Sequence, residues 1–261
     1  MKEKKSERIE YGLQLYSLRD MTGQSMQKAL EETARLGYSF VEFAGFFGHP
    51  AEEIRSWLDE YGLYCSGTHT GLEALSPENI GATAEYHKII GAKNLILPGA
   101  DWSTEEKLNE NIDSMNRAQK ILEQNGIRLG YHNHSHEFFV TPYGRIIEDE
   151  VIQRTTVDLE IDTFWAFNAG KDPVEMLEQQ KDRIRIIHLK DGIPTAKENR
   201  NYSQWLEGVA GRSVGEGKMP VSKVVKWSLE HDVRMVIESE GLNPTGLEEV
   251  GRCIAYLRTL E

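Results

Sequence analysis

The sequence predicts a (β/α)₈ barrel of the TIM type, and three observations carry that reading. Short apolar runs alternate with longer amphipathic stretches; glycines mark the passage from stretch to run; and the 261 residues match the ~250 such a barrel commonly occupies as one domain.

The eight runs are Tyr11–Tyr16, Phe40–Phe43, Leu63–His69, Lys93–Leu97, Ile127–Asn133, Val157–Asp162, Ile184–Leu189 and Arg234–Glu238. Between them, Ser25–Leu36, Ala51–Tyr61, Pro77–Ile90, Thr104–Gln124, Asp172–Gln180, Pro220–His231 and Gly246–Leu257 carry apolar residues at i, i+3 and i+4, the spacing of one helical face. In the first of these, Met26, Ala29, Leu30 and Thr33 form the stripe. Ser76-Pro77-Glu78 and Asp172-Pro173 read as helix starts, because proline in a first turn gives up no useful donor. Gly37, Gly62, Gly91 and Gly126 follow helices and precede runs, the place for a left-handed stop. The stretch after the fifth run, Ile146–Arg154, is short and poorly periodic. Such alternation argues for parallel strands joined by right-handed crossovers. A doubly wound open sheet competes, but it usually carries a glycine-rich phosphate loop after its first strand, where this chain reads SLRDMTGQS. The barrel is preferred, as a single domain over residues 1–261.

Composition narrows the function. Hydrophobic residues at 39% and charged residues at 28% describe a globular chain. A net charge of −12 repels phosphate backbones, so no nucleic-acid partner is expected and small polar or neutral ligands are the easier ones. No window approaches ~18 consecutive apolar residues, so no membrane span is expected. The opening MKEKKSERIEYG is charged with no apolar stretch behind it, which reads as no leader and a cytoplasmic setting. Cys65 and Cys253 form no C-x-x-C pattern, and Cys65, in an apolar run, reads as a buried free thiol. Oligomeric state stays open, a homo-oligomer included.

The chemistry concentrates in YHNHSHEF, residues 131–138: three histidines and a glutamate that suit a metal site, an acid/base cluster or a polar loop. In a barrel of this kind, function collects at the C-terminal ends of the strands. There stand Glu42, His69, the HNHSHE cluster, Asp162, His188 and Glu238. Alternation sorts them: Asp158, Glu160 and Asp162 share one face, Ile184, Ile186 and His188 another, Val236 and Glu238 a third. If the isoleucines and Val236 turn inward, His188 and Glu238 do too. Taken singly, His188 suits a satisfied core histidine, Asp162 a helix cap and Glu238 an ion-pair partner. Their joint arrival at one mouth argues for a metal instead. A set of glutamates, an aspartate and a histidine suits one divalent ion, Mn²⁺ foremost, with Mg²⁺, Co²⁺ or Zn²⁺ behind it.

The runs VEFAGF, GYHNHSHEF, DLEIDTFWAFNAGKDP, RIRIIHLKDG, VGEGKMP and VIESEG, in this order, resemble the sugar phosphate isomerase/epimerase superfamily with its xylose-isomerase-like barrel. The resemblance extends from Tyr11 to the last helix; Asp162–Trp165 and His188–Asp191 are its most specific pieces. The HNH-x-x-E form is similar to a subgroup related to inosose dehydratases and keto-glycoside-processing enzymes. The resemblance implies a divalent metal held by Glu137, Asp162, His188 and Glu238. It makes His132 and Glu238 the proton-transfer groups, with His134 and His136 in supporting roles. It implies a sugar or cyclitol substrate, with Glu42, His69, Trp102, Trp165 and Lys190 around it. The implied reaction removes a proton next to a carbonyl through a metal-stabilised enediolate, as an isomerase or epimerase. A dehydratase (lyase) on a keto-sugar or inosose is the alternative, and a non-catalytic sugar-binding barrel a further one. A DNA-repair endonuclease on the same barrel is disfavoured by the charge of −12 and by the absence of additional ligand runs.

Overall fold

The computed structural model describes residues 8–261; residues 1–7, which carry most of the charged opening segment, lie outside the described part. Eight parallel strands close into a barrel in sequential order: β1 (Tyr11–Gln14), β2 (Phe40–Ala44), β3 (Tyr64–His69), β4 (Asn94–Leu97), β5 (Arg128–His132), β6 (Asp158–Asp162), β7 (Ile184–Leu189) and β8 (Arg234–Ile237), with β8 pairing back onto β1. Each predicted run supplies one strand. The ends are shorter where local turns take over, as at Leu15–Leu18, which winds into a 3₁₀ turn.

The helices that follow the strands are α1 (Met26–Leu36), α2 (Ala51–Tyr61), α3 (Ile80–Ile90), α4 (Glu105–Gln124), α5 (Ile147–Arg154), α6 (Pro173–Gln180), α7 (Val221–Glu230) and α8 (Gly246–Arg258). Gly37, Gly62 and Gly91 stop α1, α2 and α3 at φ of 92°, 67° and 76°, a left-handed conformation that glycine adopts without a Cβ penalty. Asp172 caps α6 by accepting from the N–H groups of Val174 and Glu175, with Pro173 in the first turn. Helix α3 begins three residues after Pro77, because the N–H groups of Asn79 and Ile80 both turn back to the Ser76 carbonyl and spend that segment on a turn. The poorly periodic stretch does fold as α5, held by buried Ile147, Glu148 and Val151; packing overrides weak patterning.

The strands present two faces. Outward residues such as Leu13, Phe43, Leu129, Ile161, Leu189 and Ile237 pack against the helices. Inward, Phe40, Ile96, Ile186 and Val236 form a separate apolar plug. Gly12 is required there: a Cβ on it would sit 2.0 Å from the Phe40 ring. The expectation that Ile184 and Ile186 share the inner face fails at Ile184, which packs outward. The register against β6 jumps from Leu159↔Ile184 to Ile161↔Ile187, so one extra residue in β7 flips the parity. His188 stays inward, opposite Asp162.

Beside the one-turn helix Arg19–Thr22, further elements near the mouth lie outside the eightfold alternation. A short helix, Thr163–Asn168, follows β6 directly, and Asp191–Ile193 pairs antiparallel with Ala210–Arg212 to carry an excursion over the mouth. The buried Asp191 carboxylate ties this excursion down by accepting from the backbone N–H groups of Gly192, Gly215, Gly217 and Met219 at 2.7–3.0 Å. Both cysteines are buried and free. No helix of the described residues is long and apolar enough to cross a membrane.

Candidate metal centre

Above the apolar plug, the inner face changes character within one turn of the pleat. Gln14 from β1, Glu42 from β2, His69 from β3, His132 from β5, Glu160 and Asp162 from β6 and His188 from β7 converge with Glu238, which directly follows β8. One ligand atom each from His132, Asp162, His188 and Glu238 lies within 4.8 Å of the others. All four residues are buried.

Asp162 gives the strongest indication of what belongs between them. Its Oδ1 accepts the Trp165 N–H at 2.8 Å, capping the short helix, while Oδ2 is buried without a partner. An unpaired buried carboxylate oxygen is costly. Burial drives the Asp162 carboxyl up to about 7, even with Lys190 and His188 pulling the other way. A divalent cation would satisfy that oxygen, and two imidazoles with two carboxylates are a sound donor set for one. The residues fit a metal.

The charges around these donors are arranged to be opposed. Burial works against a charged Glu238, but the Lys190 ammonium 3.3 Å away and His188 keep its carboxyl far below the ordinary range. Lys190 also donates to Glu240, and its Nζ stands 4.4 Å over the Trp165 ring. His188 lies between carboxylates: Nδ1 is 3.3 Å from Glu238 and Nε2 2.6 Å from Glu42. Burial disfavours its cation, yet Glu160 and Glu42 hold it well above the usual imidazole range. His132 has the opposite fate, since burial and the neighbouring His188 and His69 keep it neutral.

Glu137 does not join the donor group. The 3₁₀ turn Ser135–Phe138 curls its carboxylate back to accept from the His134 N–H and the Tyr131 hydroxyl, with His134 completing a reciprocal cap. His132, expected as a proton-transfer group, stands instead beside Asp162, His188 and Glu238. Trp102, expected at the substrate, is buried on the outer side of β5, its indole N–H donating to Tyr131 at 3.2 Å. Glu42 is buried beneath the donors, where it accepts from Gln14 at 2.8 Å. His69 and Trp165 do face a cavity of about 510 Å³ that opens above the donors, together with His132, His134, Glu238 and Glu240. Lys190 lines a smaller adjoining recess of about 200 Å³.

Three participants were not singled out from the sequence. Glu160 was legible from the shared face of Asp158, Glu160 and Asp162. Gln14 follows from the same alternation once Gly12 is known to face inward. Trp205 had no signal: it lies on the excursion, where it meets Trp165 with ring centres 5.1 Å apart and His134 at 6.0 Å.

Comparison with known proteins gives the family and the fold. The family described as xylose isomerase-like TIM barrel matches residues 30–257. The inosose dehydratase of Geobacillus kaustophilus (strain HTA426) is 27% identical over 199 residues, covering 64% of this chain; the match spans 62% of the relative's length. A sugar phosphate isomerase/epimerase from Parabacteroides distasonis ATCC 8503 superposes with a TM-score of 0.75 at 26% identity, over 98% of this chain and 95% of that one. The IolI protein with a binding zinc atom shares the fold at a TM-score of 0.73 and 15% identity, over 97% and 98% of the two chains.

Proposed function

Since the chain belongs to the xylose isomerase-like TIM barrel family, we propose that it is a metal-dependent enzyme that removes a proton next to the carbonyl of a keto-sugar or inosose and then expels water. The observation that carries this reading is the orphaned Asp162 Oδ2 within a four-donor group at the floor of a 510 Å³ cavity. His132, Asp162, His188 and Glu238 would hold the ion. When bound, a divalent cation supplies Lewis acidity toward a substrate carbonyl. Two imidazoles in the set tilt the preference from Mn²⁺ toward Co²⁺ or Zn²⁺.

The other side chains have distinct tasks. His69 faces the cavity and has its Nε2 2.8 Å from Glu160. Burial disfavours its cation, but Glu42 and Glu160 raise the ring above the ordinary imidazole value, so it is well suited to accept a proton through its other nitrogen. Lys190 keeps Glu238 anionic and fixes Glu240 at the rim. His134, held neutral at about 3 by burial and by the Lys190 charge, stands across the cavity. Trp165 and Trp205 offer ring faces to the apolar side of a sugar or cyclitol. The described residues lining the cavity include Glu238 and Glu240 and no lysine or arginine, which favours an unphosphorylated substrate.

The inosose dehydratase relative supports the dehydration outcome. Isomerisation or epimerisation is the second reading, supported by the 26% identity to the Parabacteroides distasonis protein. Deuterium exchange next to the carbonyl of an inosose, followed with the ultraviolet absorbance of a conjugated product, tests both. Exchange with new absorbance indicates dehydration; exchange alone indicates epimerisation or isomerisation. Absence of both across inososes and keto-sugars, with the ion loaded, refutes the reading.

A further inference from the structure

Directly beneath the four donors lies a second polar layer, of which the proposed chemistry uses only Glu160 behind His69. Glu42 and Glu160 are 0% and 2% exposed, each with one oxygen turned to the back of an imidazole. Glu42 Oε2 is 2.6 Å from His188 Nε2, on the side of the ring away from Glu238. Glu160 Oε2 is 2.8 Å from His69 Nε2 and 3.2 Å from His132 Nδ1. The His132 contact is off-line, and that Nδ1 is buried with no hydrogen-bond partner.

The barrel is shaped to place both carboxylates. The register of β2 against β3 shifts between Val41 and Glu42, and that of β6 against β7 shifts between Leu159 and Ile161. Bulges of this kind re-aim side chains beside functional sites. Gly67 leaves room for Glu42: a Cβ there would stand 3.0 Å from Glu42 Oε1.

Only a neutral imidazole, with one N–H and one lone pair, can ligate. Burial disfavours the His188 cation but Glu160 and Glu42 favour it in the ion-free chain, so His188 must give up its Nδ1 proton when an ion binds. On the metal-dependent reading above, we propose that Glu42 and Glu160 are positioning residues: Glu42 accepts the proton of His188 on Nε2, and Glu160, 3.2 Å from His132 Nδ1 but off-line, supplies the negative charge that favours the His132 proton on that nitrogen. The opposite nitrogens are thereby left bare toward the ion. Glu160 fixes His69 through its Nε2 in the same way, so one carboxylate orients a metal-side ring and a cavity-side ring together. An amide in either place would keep the packing but could donate as well as accept, and the choice of tautomer would be lost.

The rival explanation is a second ion, since His69, His132, Glu160 and His188 also bring ligand atoms within 4.8 Å of one another. Against it, His188 Nε2 already meets Glu42 in hydrogen-bonding geometry.

The test uses Glu160→Gln and Glu42→Gln, with Gln14→Ala as a milder variant that loosens Glu42 without altering its charge. Chelator competition with Zn²⁺ should give one ion per chain in the parent protein and ~10–100-fold weaker binding in the two glutamine variants. Nitrogen-15 spectra of labelled histidine should show His132 protonated on Nδ1 in the parent, with or without Zn²⁺, and a mixture of tautomers in Glu160→Gln. Unchanged affinity and unchanged tautomers in the variants would overturn the proposal. Two ions in the parent and one in Glu160→Gln would overturn it in favour of the second site. A parent that binds no ion refutes the metal reading, while the His132 tautomer in the ion-free chain still decides the role of Glu160. Should the glutamine variants fail to fold, an unchanged Zn²⁺ affinity in Gln14→Ala counts against the role of Glu42, and a parent His132 protonated on Nε2 against that of Glu160.

Discussion

Replacing Glu137 by alanine separates the two assignments of the HNHSHEF segment. The structure uses this fully buried carboxylate to accept from the His134 N–H and the Tyr131 hydroxyl. Removing it leaves two buried donors unpaired, each costing about 1–3 kcal/mol. The Tyr131 oxygen keeps the Trp102 N–H at 3.2 Å, so the lower half of the range applies, roughly 2–4 kcal/mol in all. At about 2–4 °C per kcal/mol for a chain of this size, the melting temperature should fall by roughly 5–15 °C. The affinity for Zn²⁺ or Mn²⁺, measured by chelator competition well below that temperature, should stay within about threefold of the parent, because no ligand has been lost. His132→Ala should do the reverse and lose the ion. A Glu137→Ala protein that melts like the parent but binds metal tenfold or more weakly would refute this reasoning and restore Glu137 as the ligand.

Other perturbations have equally definite outcomes. Asp162→Asn keeps an oxygen for the Trp165 N–H but loses the anionic Oδ2; metal affinity should drop by at least ~10-fold with little change in circular dichroism, and an unchanged affinity would remove Asp162 from the donor set. His188→Ala should likewise abolish ion retention in elemental analysis. Glu148 is buried with both oxygens unpartnered and sits at about 8, raised by burial and by the charges of Glu137 and Asp149. Its folded form holds a proton that the unfolded form releases near the ordinary carboxylate value of 4.5, so stability falls as pH climbs from about 4.5 to about 8. Glu148→Gln should remove that part of the slope; parallel melting curves for both proteins at pH 5 and pH 8 would contradict it. Gly12→Ala would push a methyl group to 2.0 Å from the Phe40 ring and should cost about 3 kcal/mol by overpacking, relieved in the double variant with Phe40→Leu.

The barrel was legible because its signals are local: period, glycine stops and proline starts each repeat with every unit. Inward or outward facing was legible only where the ladder stays regular. Val236 and Glu238 follow simple alternation, whereas Ile184 does not, because a bulge in β7 leaves no mark on the sequence. Glu137 and His132 are both plausible ligands by residue type, and nothing in their spacing shows that a 3₁₀ turn spends the glutamate on its own backbone. Trp205 depends on a long excursion between paired segments, a connection that carries no periodic pattern.

That excursion has an evolutionary consequence. One buried carboxylate, Asp191, holds both its departure at Gly192 and its return at Gly215, Gly217 and Met219. Drift, insertion or deletion between residues 194 and 209 therefore leaves both ends of the excursion held, because the Asp191 anchor lies outside the segment that varies. Selection can try new walls above the mouth while the donors from β5 to β8 keep their places. Descendants of this chain should diverge first in what they admit and last in how they hold an ion.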